Sequence, residues 1–239
     1  MAIERLDGRA PQELRPLKLE RGVAKYAEGS CKITLGDTIV LVTATVEERV
    51  APWLKGKGTG WITAEYGMLP RSGKERSQRD YMRPNGRAVE IQRLIGRAMR
   101  AVVELEMLGE RTITLDCDVI QADGGTRVSA ITASYIALHD AFQWMIGQRM
   151  IPRMPLKEQV AAISVGVVGG IELLDLTYEE DSRASVDMNL VMTDRGRYVE
   201  IQGTAETEPF EETTFAKLLG LGKMGLKQLF AAQKEALQS

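Results

Sequence analysis

Gln121-Ala122-Asp123-Gly124-Gly125-Thr126-Arg127 is a segment whose residue types and order suit the binding of an anion. Two glycines let the backbone turn with no Cβ in the way. Thr126 and Arg127 follow at the start of a helix-like run. Free N–H groups and the positive end of the helix dipole favour negative charge there. The hydroxyl adds a directed donor, and the guanidinium can grip two oxygens of one phosphate. The same residues also suit a plain strand-turn-helix junction, with Gly-Gly as turn chemistry and Thr as a cap.

A second segment, Tyr178-Glu179-Glu180-Asp181-Ser182-Arg183-Ala184-Ser185-Val186-Asp187-Met188-Asn189, carries four carboxylates and runs into apolar Leu190-Val191-Met192. If the whole segment is extended, Asp181, Asp187 and Asn189 share one strand face. If residues 182–185 turn, the two aspartates converge from either side of the turn. Two or three oxygen ligands plus substrate phosphates is the usual setting for Mg²⁺. A solvated acidic loop is the other reading.

The remaining inventory narrows the chemistry. His139 is the only histidine, and it lies in an amphipathic run far in sequence from both segments. A Ser-His or Cys-His nucleophile scheme is therefore disfavoured. Acid–base work falls to carboxylates, and phosphate, already an anion at neutral pH, is a ready external nucleophile. Cys31 and Cys117 are far apart and sit in strand-like runs, as buried thiols of a reducing cytoplasm do. No zinc-type Cys/His cluster occurs, no apolar stretch approaches a membrane span, and residues 1–7 lack the apolar core of a signal peptide.

The formal net charge of −2 gives no nucleic-acid signal, but its distribution does. Residues 71–100 carry nine basic side chains against Glu75, Asp80 and Glu90; residues 172–212 carry twelve acidic ones against Arg183, Arg195 and Arg197. A cationic segment can track a phosphate backbone while an acidic one recruits a divalent ion. The polar stretch 71–86, with Gly73, Pro84 and Gly86, has neither helical nor strand period and reads as a loop able to grip a phosphate backbone.

These elements need a scaffold. Strands are predicted over residues 31–35, 39–46, 61–68, 112–120, 159–168, 171–177, 186–192 and 199–203 from their β-branched and apolar content. Helices are predicted from Val89 to about Leu105, from Ser129 to about Met145, and from about Thr213, as a cap, to about Ala236. In the first of these, Glu90, Arg93, Arg97 and Arg100 oppose the apolar stripe. The order hints at two related α+β halves. With 239 residues and 44% hydrophobic content the chain can bury a sizeable core.

Several blocks in order make the chain recognisable. They are Asp7-Gly8-Arg9, Leu14-Arg15-Pro16, Ala27-Glu28-Gly29-Ser30, Gly36-Asp37-Thr38, residues 60–71, residues 90–97, the Asp-Gly-Gly-Thr-Arg corner, Asp181 with Asp187-Met188-Asn189, and Gln202-Gly203-Thr204-Ala205-Glu206. Together they resemble the ribonuclease PH family, phosphate-dependent nucleases of tRNA 3′ ends related to polynucleotide phosphorylase and the exosome ring subunits. The resemblance implies an α+β fold of two related β-α-β-α halves forming one compact catalytic domain over residues 1–239. It implies phosphorolytic 3′→5′ trimming of precursor tRNA and other RNA 3′ ends, rRNA included, with release of nucleoside diphosphates and reverse nucleotide addition. Inorganic phosphate would be the co-substrate, held by Arg87, Gly125, Thr126 and Arg127. Asp181 and Asp187 would be catalytic and would carry Mg²⁺, with one of them protonating the departing 3′-oxygen. Arg71, Arg76, Arg79, Arg83, Arg93 and Arg97 would contact RNA. A cytoplasmic homohexamer, a trimer of dimers, follows from the same resemblance. Some relatives are inactive RNA-binding ring subunits, a competing expectation. The chain departs from the family pattern in a shorter 71–86 segment, where Tyr81-Met82-Arg83-Pro84-Asn85 replaces a Lys/Gly-rich stretch, and at Arg183 and Val186.

Overall fold

The computed structural model describes residues 5, 7–78 and 86–238. The first half builds a sheet from β1 (Leu17–Arg21), β2 (Gly29–Leu35), β3 (Thr38–Glu47), β4 (Trp61–Met68) and β5 (Thr112–Gln121), in the order β1-β2-β3-β5-β4. Helix α1 (Gly86–Ala101) carries the chain from β4 back to β5, and these two strands are therefore parallel, while the other pairs are antiparallel. Helix α2 (Thr126–Gly147) follows β5.

The second half forms an antiparallel sheet, β7-β6-β8-β9, from β6 (Val160–Val168), β7 (Ile171–Leu174), β8 (Val186–Thr193) and β9 (Tyr198–Ala205). A one-turn helix, α3 (Tyr178–Asp181), separates β7 from β8, and α4 (Glu212–Gln238) closes the chain. The α+β architecture agrees with the sequence, but only the first half has a helical crossover between parallel strands.

Helix α2 is the centre of the molecule. Its residues from Val128 to Leu138 are almost all buried, as expected of a helix apolar round most of its circumference. One side packs on β2 and β3, and the other on β6, whose Val160 and Ala162 join the main core. Gly29 makes the close approach possible: a Cβ there would lie 2.0 Å from the Ala137 carbonyl oxygen. β6 is buried almost throughout because α2 and α4 both pack against it, which explains its continuous apolar run. The Gln233 amide of α4 donates to the Thr132 and Val160 carbonyls, each at 3.0 Å, tying α4 to both halves.

Several sequence expectations shift. β1 was not anticipated: its Leu-Lys-Leu-Glu-Arg alternation carries too few apolar residues to stand out, as suits a half-covered edge strand. The strand expected through Thr177 stops at Leu174, because Asp175 adopts φ 56° and Thr177 then caps α3. The Thr177 hydroxyl accepts from Glu180 N while the Glu180 carboxylate accepts from Thr177 N, a reciprocal capping box. Helix α4 begins at Glu212, so Thr213 lies inside its first turn and is not its cap. Helix α1 ends at Ala101, and Leu105 belongs to a separate 3₁₀ turn.

Candidate active site

The Gly-Gly corner is the N-terminus of α2. Gly124 and Gly125 sit at φ 74° and 67°, the left-handed region that side chains resist. Gly124 has a second reason to lack a side chain: its Cβ would lie 2.4 Å from the Leu176 carbonyl oxygen of the second half. The N–H groups of Gly125, Thr126 and Arg127 have no acceptor among the described residues. The buried Tyr66 hydroxyl donates to Thr126 Oγ1 at 2.8 Å, which leaves the threonine proton free for a ligand. Arg127 is held by one nitrogen only. Its Nη1 donates to Gln202 Oε1 at 2.6 Å and to Glu90 Oε1 at 3.1 Å, while the Gln202 amide also donates to Glu90 at 3.2 Å. The rest of the fork faces the cleft.

The acidic segment takes the second of its two possible shapes. Asp181 ends α3, residues 182–185 turn, and Asp187 is the second residue of β8. The register of β8 with β9 sets Asp187 opposite Thr204 and Asn189 opposite Gln202, so these four share a sheet face. That face carries the acidic strand up to the Gln202–Arg127 contact.

Arg87, Arg127, Asp181, Asp187, Gln202 and Glu206 meet around a cleft of about 650 Å³, with Ser182, Arg183 and Thr204 on its wall. Neither Asp181 nor Asp187 accepts a side-chain hydrogen bond from a described residue. Burial raises both carboxyls above the ordinary aspartate range. For Asp181, Arg87 and Arg127 oppose the rise. Asp187 is pushed up to about 6, first by burial and then by the Asp181 charge, against a weaker pull from Arg127. Two oxygen-donor carboxylates that repel each other fit a divalent cation, which would relieve the repulsion. Among the described residues no group of three or more His, Cys, Asp or Glu forms a complete cage, so further ligands would have to be substrate oxygens or water.

The cationic segment divides. Arg71 and Arg76 are exposed with no acidic partner among the described residues, and so is Arg93 on α1. Arg97 Nε donates to Glu200 Oε2 of β9 at 2.8 Å. Arg100 is turned inward: its Nη1 donates to the Ile62 carbonyl at 2.6 Å and its guanidinium lies 4.2 Å from the Trp61 ring centroid. Arg79 and Arg83 lie outside the described residues. His139 sits twelve residues beyond Arg127 along α2, about 18 Å at the helical rise, beside the Arg21–Asp140 ion pair.

Tyr66, Glu90 and Gln202 support the site; the sequence places them within recognised blocks but assigns them no role there, because each meets its partner only in the folded chain. The same holds for a buried ionic group at the seam between the halves. Arg5 grips Glu180 with two bonds of 2.7 Å, and Arg15 grips Asp175 with bonds of 3.0 and 2.7 Å. The dense Arg5, Arg9, Arg15 spacing was the available signal.

Donors for an anion on one wall and unpaired carboxylates on the other define a site suited to phosphoryl transfer. The matched families say which kind. Residues 13–142 match the model "3′ exoribonuclease family, domain 1" and residues 158–225 match "3′ exoribonuclease family, domain 2". The chain belongs to the 3′ exoribonuclease family. Proteins called Ribonuclease PH from Methylobacterium sp. (strain 4-46) and Methylobacterium radiotolerans are each 56% identical over 231 residues, covering 96% of this chain and 98% of the relative. Rice Rrp46 superimposes with TM-score 0.78 at 21% identity, over 96% of this chain and 98% of its own. A chain of the Archaeoglobus fulgidus exosome with RNA bound to the active site gives TM-score 0.78 at 22% identity, over 99% and 92%.

Proposed function

We propose that this protein trims the 3′ ends of precursor tRNA by phosphorolysis. The carrying observation is one cleft that brings Arg87 and Arg127 together with two unpaired carboxylates, where Arg127 continues a corner with free N–H groups, in a chain 56% identical to proteins called Ribonuclease PH. Inorganic phosphate would sit on the Gly125, Thr126 and Arg127 donors. One of its oxygens bonds to the phosphorus of the terminal phosphodiester, the bond from that phosphorus to the 3′-oxygen breaks, and the 3′-oxygen takes a proton. The products are a nucleoside diphosphate and an RNA one nucleotide shorter. The bond broken and the bond formed are similar in energy, so the reverse addition also runs.

Arg87, at the start of α1 and on the cleft wall, would orient the attacking or scissile phosphate. Asp181 and Asp187 would hold Mg²⁺. When bound, the ion would offset charge building on the phosphate oxygens. One of the two carboxyls would pass a proton to the departing oxygen; burial and the Asp181 charge favour the protonated form of Asp187 as long as no cation is bound. Arg71, Arg76 and Arg93 are exposed cations free to contact the RNA body, and Arg97 could do so by exchanging Glu200 for phosphate.

The site draws on both halves, which supports one catalytic unit over the chain. A homohexamer in the cytoplasm fits the exposed apolar Tyr198, Ile201 and Met224 and the two free buried cysteines. The inactive-subunit reading is weaker, since such a subunit has no need of an intact corner and an intact acidic pair together.

The test is a tRNA carrying extra 3′ residues, incubated with protein and Mg²⁺ with or without phosphate. Nucleoside diphosphate appearing only with phosphate is the expected result. Nucleoside monophosphate, or no product, contradicts the proposal.

A further inference from the structure

The Gly124–Gly125 peptide has little to hold it by its own chemistry. Both residues lack side chains, and a peptide between two glycines can reverse its plane at small steric cost. Its orientation matters, because in a trans peptide the carbonyl and the following N–H point in opposite directions. If the Gly124 carbonyl turned into the cleft, the Gly125 N–H would leave the anion site, and an oxygen would face the phosphate instead.

Two buried side chains hold that plane from behind. The Thr38 hydroxyl, fully buried, donates to the Gly124 carbonyl at 2.7 Å and accepts from Asp123 N at 3.0 Å. Arg15, 4% exposed, donates through Nη2 to the same Gly124 carbonyl at 3.4 Å and through Nη1 to the Asp123 carbonyl. Arg15 is itself fixed from the second half: Asp175, fully buried, accepts from its Nε at 3.0 Å, its Nη2 at 2.7 Å and its backbone N at 2.9 Å. Asp175 adopts φ 56°, a conformation non-glycine residues seldom take. The Gly125 N–H, on the opposite side of the plane, has no acceptor among the described residues.

The geometry points to Arg15 and Thr38 as positioning residues that lock the Gly124–Gly125 peptide with its N–H towards the phosphate, with Asp175 anchoring Arg15. Neither touches the substrate. They make the anion site of the first half depend on a carboxylate of the second half. The inference rests on the reading that phosphate occupies this corner.

Arg15→Lys keeps a cation beside Asp175 but loses the fork that reaches both carbonyls. Thr38→Val keeps the shape and removes the hydroxyl. Both are assayed for phosphorolysis with phosphate and RNA varied separately, and for reverse addition with nucleoside diphosphate varied. The expected result is a KM for phosphate raised about tenfold in each variant, the size of one lost hydrogen bond. The KM for RNA and the melting temperature should change far less. In the double variant the losses should fall well short of multiplying, because both residues hold one peptide. With selective ¹⁵N-glycine labelling, the Gly125 amide signal should move on addition of phosphate in the wild type and respond weakly in Arg15→Lys. Equal loss of kcat and of both KM values, or an unchanged KM for phosphate, overturns the lock. If wild-type glycine signals ignore phosphate and the KM for phosphate is indifferent to Arg127→Ala, the underlying phosphate assignment fails instead.

Discussion

The two walls of the cleft are prepared in opposite ways. On the corner wall the polar groups behind the backbone are tied: Thr126 to Tyr66, Arg127 to Glu90 and Gln202, the Gly124 carbonyl to Thr38 and Arg15. On the acidic wall Asp181 and Asp187 accept no side-chain hydrogen bond from a described residue, and burial together with their mutual repulsion drives Asp187 to about 6. One wall is preorganised for an anion and needs little rearrangement to bind it. The other is electrostatically strained until positive charge or a proton arrives. A phosphorolytic site has use for both, since it must hold a nucleophile firmly and release charge onto a leaving oxygen.

That contrast can be broken at either wall. Asp181→Asn and Asp187→Asn should each lower turnover roughly 100-fold or more, with weak rescue by excess Mg²⁺. A variant with near-wild-type turnover would place the metal elsewhere. Arg127→Ala should cost roughly 2–4 kcal/mol in the transition state while RNA affinity stays nearly unchanged. Collapsed RNA binding with normal phosphate saturation would contradict the corner assignment.

Stability against pH should separate the walls more finely. The folded-state Asp187 carboxyl, near 6, holds its proton more tightly than the ordinary aspartate at 3.8. Its contribution to stability is therefore present below pH ~4 and lost as pH rises towards 6. In metal-free protein, Asp187→Asn should thus raise the melting temperature at pH 7.5, with the gain vanishing near pH 4. Mg²⁺ should stabilise the wild type more at pH 7.5 than at pH 5, because the ion competes with a proton. Melting curves with equal Mg²⁺ effects at both pH values would show that the acidic wall does not hold the ion.

How much of this was legible beforehand depended on range. The corner declares itself within seven residues, Gln121 to Arg127, because turn, cap and charge are all local. The alternative of a turn between Asp181 and Asp187 was also visible, and α3 could have been read from Thr177 and Glu180, whose three-residue spacing is a capping box. Acidic composition masked it. What could not be read were partners such as Arg15 and Asp175, 160 residues apart, or Arg127 and Gln202, 75 apart. Local pattern holds no record of such pairs; only the packing of α2 between the two sheets brings them together.

The smallest expected effect lies outside both walls. Replacing Arg71 and Arg76 with alanine should flatten the salt dependence of tRNA binding by about two units at most and leave cleavage of a very short oligonucleotide almost unchanged. Arg97→Ala should matter less than either, since Glu200 already competes for its charge. Equal losses on long and short RNA would mean that these arginines support the fold or an assembly.

The central claim, that phosphate held at the corner is the nucleophile, has a direct test in radiolabelled inorganic phosphate. Wild-type protein given labelled phosphate, Mg²⁺ and an unlabelled RNA should release nucleoside diphosphate with the label in its β-phosphate, and Arg127→Ala should lose that transfer. Unlabelled nucleoside monophosphate, with all label remaining as free phosphate, would contradict it.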